Sequence, residues 1–299
     1  MARTPLAAMT IAVTHFTDPG CPWAYSARPA LRTLEWRFGD QLDWELVMIG
    51  LTEEAKQYED RGYTPERMVS SWPLYHERFG MPFGYQIKAA VSATSQACRA
   101  VMLANEQSHE LGEAALSALQ LLHFTTAEML QDPAAIAAAL DAVDGLDGDA
   151  IAARLGDADV LERYEVQRSR ARQAAGGPTE AQGKSSDSDG PVRYTAPSLI
   201  FTAPDGSSSE AGGFQTIEAY DVLLANLDPT LERRPRPELA SEVFGAFTQP
   251  LTTAEVAAVM AEPMMPPNTG AVLAELQELT ADGKLVRDLL GDDALWRAA

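Results

Sequence analysis

Residues Asp18-Pro19-Gly20-Cys21-Pro22-Trp23-Ala24-Tyr25 sit where one periodicity of the chain gives way to another. Upstream, Thr10-Ile-Ala-Val-Thr-His-Phe-Thr17 alternates and is rich in β-branched residues, the pattern of a strand entering a core. Downstream, Ala27, Leu31, Leu34 and Phe38 recur at helical spacing and give residues 24–38 one apolar face. Cys21 therefore stands at a strand-to-helix junction, and Pro22, with its fixed φ and no N–H, suits the first helical turn. A thiol in that place meets unpaired backbone N–H groups and the positive end of the helix dipole, both of which favour thiolate. The expectation is a reactive Cys21 of lowered pKa; the alternative is an inert cysteine.

Working outward, Leu42 to Leu51 reads as a second strand, polar at first and then continuously apolar, so the chain opens β-α-β. Residues 53–174 then turn helical, with segments expected at 68–79, 87–105, 110–123, 133–143, 148–155 and 159–174, punctuated by Gly, Pro and Asp. Residues 175–191 are polar, rich in Gly and Ser, and expected to form a flexible loop that can cover Cys21 as a lid. Strand character returns at Ser198-Leu-Ile-Phe-Thr-Ala203, Pro204-Asp-Gly206 marks a turn, and a short polar strand through Glu210 completes a hairpin. A helix over 216–227 follows, with Ile217, Tyr220, Leu223, Leu224 and Leu227 as its apolar stripe. Residues 229–237 read as an Arg/Pro-rich linker. Residues 238–299 contain three helical segments and a strand-turn-strand, the order of a winged-helix-like module.

The chain has 299 residues, 46% of them hydrophobic, enough for a sizeable core. A net charge of −20 argues against nucleic acid and anionic membrane surfaces as partners, because phosphate binding needs concentrated Lys and Arg. Acidic residues also outnumber basic ones in 238–299, so that module is read as a packing or dimerisation appendix, and a homodimer stays open. No early apolar stretch suits a signal peptide and no span suits a bilayer; the expectation is a cytoplasmic protein, in whose reducing surroundings Cys21 and Cys98 stay unbridged.

The strand, the Cys-Pro-Trp turn, the helix, the helical insertion and then Tyr194-Thr195-Ala196-Pro197-Ser198-Leu199-Ile200-Phe201 resemble the thioredoxin superfamily over about residues 10–230. Within it, the match is to the DsbA-like branch, which includes kappa-class glutathione transferases and 2-hydroxychromene-2-carboxylate isomerases. The resemblance implies an α/β thioredoxin-like domain over 8–230 with a large all-helical insertion. It also implies a cis Pro197 opposite Cys21, with Ala196 offering its backbone to a bound partner, and a helix-kinking role for Pro29. DsbA-type oxidases carry Cys-x-x-Cys, whereas here the fourth position is Ala24. A dithiol cycle cannot close within this motif, so a monothiol oxidoreductase would need resolution by an external small thiol such as glutathione or mycothiol, used as cosubstrate with no tightly bound cofactor. The transferases and isomerases carry Ser-Pro-Tyr/Phe-Ser here, and Cys21 falls on their first serine. Three classes thus stand open: a thiol-disulfide oxidoreductase, a transferase or isomerase, and a non-catalytic binding protein.

His15, on the first strand, is the candidate to stabilise the Cys21 thiolate or take its proton; the alternative is a satisfied core histidine. Pro22 and Trp23 are expected to border the substrate, Trp23 as an apolar wall. Cys98, on a helix of small residues, reads as a buried small hydrophobe rather than a resolving thiol. His76, His109 and His123 lack metal-site spacing, and no metal is expected. Tyr63, Trp72, Tyr75, Phe79, Phe83 and Tyr85 read mostly as helix packing, though some can line a pocket under the helical roof.

Overall fold

The computed structural model describes residues 10–291 and 293–299. The expected domain start at residue 8 and the reading of Met1–Met9 lie outside them.

The chain begins with β1 (Ile11–Thr17), α1 (Pro22–Ser26), α2 (Arg28–Phe38), a 3-10 turn (Gly39–Gln41) and β2 (Leu42–Met48). β2 runs parallel to β1, in register from Ile11 opposite Leu42 to Thr17 opposite Met48. Parallel neighbours need a crossover, and α1 with α2 supply it. One helix was expected over 24–38, and the structure divides it at Ala27. Pro29 has no N–H to return to Tyr25, so the turn closes on Ala27 instead: its N–H reaches Trp23 O at 3.0 Å, and its own carbonyl takes Leu31 N–H at 3.1 Å.

The helical insertion comprises α3 (Lys56–Glu59), α4 (Pro65–Phe79), α5 (Ser95–Asn105), α6 (His109–Thr125), α7 (Pro133–Asp141), α8 (Gly148–Arg154) and α9 (Ala158–Ala171). Its core is built from α5 and α6, with Val101, Leu116, Leu119, Ile136 and Val160 buried among them, and it rests on Leu46 and Met48 of β2. Residues 175–191, expected as a flexible loop, instead carry α10 (Pro178–Ala181) and β3 (Ser185–Ser186). β3 pairs antiparallel with β4 (Arg193–Tyr194). Polarity alone suggested disorder there, but α10 is fixed by Glu210, whose Oε2 accepts from the Thr179 N–H at 2.9 Å and hydroxyl at 2.6 Å.

β5 (Ser198–Thr202) pairs antiparallel with β1, and β6 (Ser208–Ala211) forms the edge, giving the sheet order β2-β1-β5-β6. α11 (Ile217–Leu227) covers one face, where Tyr220 and Leu224 meet Leu34 of α2 and Phe201 of β5 in the core. Beyond the linker come α12 (Ala240–Val243), β7 (Leu251–Thr252), α13 (Thr253–Met260), α14 (Thr269–Ala281), β8 (Leu285–Leu290) and β9 (Asp293–Ala298). The last strands form a sheet of order β7-β9-β8 around the fully buried Trp296.

This C-terminal region is fastened to α2. Arg28 Nη2 lies 2.9 Å from Oε1 of the wholly buried Glu255 on α13, and Arg32 Nε reaches the same oxygen at 3.4 Å. Oε2 of that carboxylate accepts from Thr252 N–H at 2.8 Å and Thr252 Oγ1 at 2.9 Å. The linker also lies along α2, with the Trp36 indole N–H donating to Pro235 O at 2.8 Å.

Candidate functional site

The turn between β1 and α1 is tied from within. Asp18 Oδ1 accepts from Gly20 N–H at 2.8 Å, and Cys21 N–H bonds Asp18 O at 3.2 Å. Gly20 is required by close approach, since a Cβ there would stand 2.5 Å from Thr94 Cγ2. Cys21 is extended (φ −88°, ψ 115°) and opens α1 as its N-cap, with Pro22 in the first turn. The Ala196–Pro197 peptide is cis. The Cys21 thiol meets the Ala196 carbonyl, with Sγ 3.2 Å from Ala196 O. Behind that loop, Ser198 Oγ donates to Thr195 O at 2.6 Å and accepts from Gly213 N–H at 3.0 Å, fixing the carbonyl side of the site.

The expected ionisation is reversed. Cys21 is 6% exposed, packed with Phe16, Ala24, Tyr194 and Ala196. Burial pushes its pKa up to about 12, with the nearby Asp18 carboxyl adding to the rise. The amides of Ala24 and Trp23 and the Arg193 guanidinium pull the other way, so the helix-terminus effect is present and is outweighed by desolvation. The group meeting Ala196 is therefore a neutral S–H donor, and at pH 7 a thiol of that pKa is ionised in only ~1 molecule in 100,000.

His15 does not reach the thiol. Side chains alternate along β1, so His15 and Phe16 point to opposite faces, and Phe16 is the one packed on Cys21. His15 is buried, with Nδ1 3.8 Å from Glu113 Oε1. It lines a buried polar recess with Arg28, Arg32, Glu113 and Gln120. The ionisable group near the thiol is instead Asp18, fully buried. Its Oδ2 accepts from Leu51 N–H at 2.8 Å, Thr94 Oγ1 at 3.0 Å and Cys98 Sγ at 3.4 Å. Burial drives this carboxyl up, opposed by the same hydrogen bonds. Both cysteines are free, and Cys98 is a buried donor to Asp18.

Trp23 is exposed to 40% and stands at the rim of the site. Tyr75 and Phe79 of α4 meet it at ring-centroid distances of 5.1 and 5.9 Å, and Phe214 closes the third side at 6.0 Å. Phe214 was not singled out from sequence; it follows Gly213, whose φ of +68° only glycine adopts readily and which turns the chain toward Trp23. Of the other expected aromatics, Trp72 and Phe83 are core residues packed on Tyr25, whose hydroxyl donates to Pro82 O at 2.7 Å. Tyr63 and Tyr85 are exposed.

Two further segments lie near this site, α3 and the strap of residues 187–191. Tyr58, on α3, is close enough for the charges of Cys21 and Arg193 to bear on its hydroxyl, which burial pushes up to about 12. The strap before β4 is joined to this segment through Arg61, which donates to Ser188 O. Asp189 on the strap takes Arg193 Nε at 3.0 Å and also bonds Arg172. Among the described residues no group of three or more His, Cys, Asp or Glu is arranged to hold a metal, and no helix is long and apolar enough to cross a membrane.

No family model and no curated protein matches this chain in sequence. Solved structures do match in fold. A candidate protein disulfide isomerase from Nitrosomonas europaea superposes with a TM-score of 0.55 at 16% identity, covering 73% of this chain and 97% of its own. A DsbA-type oxidoreductase from Streptomyces coelicolor gives 0.51 at 17% identity, covering 77% and 93%. The cytosolic disulfide reductase DsbM from Pseudomonas aeruginosa, solved with glutathione, gives 0.44 at 20% identity, covering 64% and 88%. The sheet order, the insertion after β2 and the first two superpositions together identify the chain's architecture as the DsbA-like form of the thioredoxin fold.

Proposed function

We propose that this protein is a thiol-disulfide oxidoreductase that works through Cys21 alone, with the structure representing its closed, resting form. The observation that carries the reading is the Cys21 sulfur 3.2 Å from the Ala196 carbonyl beside Pro197, at the start of α1 and next to an aromatic wall. In the closed form the sulfur is a protonated donor. When the strap and α3 move away, water returns to the sulfur and the main cause of its raised pKa is removed, leaving the Ala24 and Trp23 amides and Arg193 to favour thiolate. The thiolate then attacks one sulfur of a substrate disulfide, forming a mixed disulfide and expelling the other sulfur as thiolate. With Ala24 in place of a second cysteine, an external small thiol attacks the substrate-side sulfur and Cys21 leaves as thiolate. The Ala196 backbone and Pro22 border the bound chain, Trp23 supplies apolar contact, and a reducing, cytoplasmic setting provides the resolving thiol. The C-terminal region, winged-helix-like in its order of elements, serves as a packing appendix on α2.

The neutral S–H favours a second reading. A donor held at a helix start can hydrogen-bond the sulfur of a bound small thiol without forming a covalent bond, as a kappa-type transferase or an isomerase requires. Turnover of bis(2-hydroxyethyl) disulfide with glutathione, and conjugation of glutathione to 1-chloro-2,4-dinitrobenzene, separate the two when run on the parent and on Cys21→Ser. Disulfide turnover that falls at least about 100-fold in Cys21→Ser supports the oxidoreductase. Conjugation that survives in Cys21→Ser, without disulfide turnover in the parent, replaces it with the second reading.

A further inference from the structure

The strap of residues 187–191 inserts a single carboxylate into the protein. Asp187, Ser188, Gly190 and Pro191 are exposed, whereas the Asp189 side chain is only 6% exposed. It sits between Arg172 and Arg193, each with a side chain 8% exposed. Arg172 is held in place independently of the strap: Nη1 donates to Ile49 O at 2.9 Å and Nη2 to Gly50 O at 3.3 Å. Arg193 is likewise held, with Nη1 on Tyr194 O at 3.1 Å. Two guanidiniums are thus fixed by main-chain carbonyls, and among the described residues Asp189 is the carboxylate paired with either. Lifting the strap would leave two buried positive charges facing the space it vacated, an arrangement stable only when another anion enters.

Arg193 also lies on the segment that forms the thiol's other wall. It begins β4, and Ala196, whose carbonyl meets Cys21, follows three residues later. A ligand with sulfur against Cys21 and a carboxylate a few bonds away can span both features. The guanidiniums are too deeply set for a side chain on the flat surface of a folded protein, so a small molecule fits better than a docked domain.

We propose that Arg172 and Arg193 form the carboxylate-binding subsite of this site, that its ligand is a small carboxylate-bearing thiol or its disulfide, and that Asp189 is a built-in stand-in for that carboxylate. The inference deepens the reading of Cys21 as the reacting thiol, but the subsite itself stands on the arginine geometry. Because Asp189 is tethered, it competes at high effective concentration, and its removal raises the fraction of competent sites.

Calorimetric titration with S-methylglutathione, which keeps the carboxylates and lacks a free thiol, tests this. Asp189→Ala should bind at least about fivefold tighter than the parent, and Asp189→Asn, which keeps the side-chain shape, should follow in the same direction. Adding Arg193→Met to Asp189→Ala should cancel the gain, and the diethyl ester of S-methylglutathione should bind at least about tenfold more weakly than the acid to Asp189→Ala. Affinities within about twofold of the parent in both Asp189 variants, or equal binding of acid and ester, overturn the subsite. Acetyl-trialanine with a free C-terminus is the second ligand; if it binds more tightly than S-methylglutathione, the carboxylate belongs to a peptide and the small-thiol assignment fails. Disulfide turnover by the parent separates the two proposals: acid-over-ester preference in a parent that shows no disulfide turnover leaves the subsite standing and removes the oxidoreductase, whereas turnover that is lost in Cys21→Ser, without any such preference, removes the subsite alone.

Discussion

At the scale of the residue, Cys21 separates what position tells from what environment tells. Its place between a strand and a helix was legible from the change of period, whereas its companionship with Ala196 and Pro197 was implied only by the resemblance to the thioredoxin superfamily. Its protonation was not legible, because the groups packed around it come from Phe16, Ile49, Ala171 and Tyr194, which no local pattern assembles. Asp18 lay in the same motif and was not singled out; its four donors, from Gly20, Leu51, Thr94 and Cys98, are brought together only by folding. His15 shows the converse error, since one step along a strand reverses the face a side chain takes. A direct consequence follows for reactivity. With its pKa pushed up to about 12, Cys21 should be alkylated by iodoacetamide at a rate that rises about tenfold per pH unit from pH 6 to 10, with no plateau. A plateau below pH 8 would show an ionised thiol in the resting protein and remove burial as the controlling effect.

At the scale of the element, period was a dependable guide wherever an element was long. The opening β-α-β, the helices from α6 to α9 and the strand after Pro197 lie where alternation or helical spacing put them. Residues 87–94 were misread as the start of α5, because small apolar residues fit either state. There the buried Lys88 ammonium is held by the carbonyls of Thr126 and Glu128, and Thr94 N–H by Thr52 O, so the backbone is committed elsewhere. Two-residue ladders such as β3, β4 and β7 carry no period at all. The contact of α2 with α13 was also invisible, since it brings Arg28, Arg32 and Trp36 together with Glu255 and the apolar face of α13 from distant parts of the chain. Removing Arg28 leaves the buried Glu255 carboxylate with only the longer contact to Arg32, so Arg28→Met should destabilise the protein by about 3 kcal/mol. Combining it with Glu255→Gln should restore part of that loss. Urea midpoints for the two single variants and the double variant measure the coupling. A loss under about 1 kcal/mol in Arg28→Met would mean that apolar packing alone holds α13 to α2.

At the scale of the whole molecule, the junction of sheet, insertion and C-terminal region is ionic. Arg28 and Arg32 face Glu35, Glu113 and Glu255, with His15 beside Glu113. Three carboxylates against two guanidiniums leave one negative charge in excess, so the cluster gains by holding a proton. Burial pushes Glu35 up to about 7, against the pull of Arg32 at 2.6 Å and with the added repulsion of Glu113 and Glu255. Burial also raises Glu113, but His15 and Arg32 outweigh it and hold that carboxyl at about 2. The two have opposite signs in stability. Glu113 contributes above its unfolded value of 4.5 and loses that contribution as pH falls toward 2. Glu35 contributes fully below 4.5 and loses it as pH rises through about 7. Between pH 5 and 8 Glu113 is constant, so Glu35 sets the slope and the fold should weaken toward pH 8. Because the Glu35 side chain stays 21% exposed, solvent screening limits the change to on the order of 2 kcal/mol. Glu35→Gln carries no titrating group and keeps an acceptor for Arg32, so its urea midpoint should be nearly level over the same range while the parent's declines. The rest of the strongly acidic surface contributes equally to both proteins and cancels in the comparison. Parallel pH profiles for parent and variant would show that Glu35 does not set the slope.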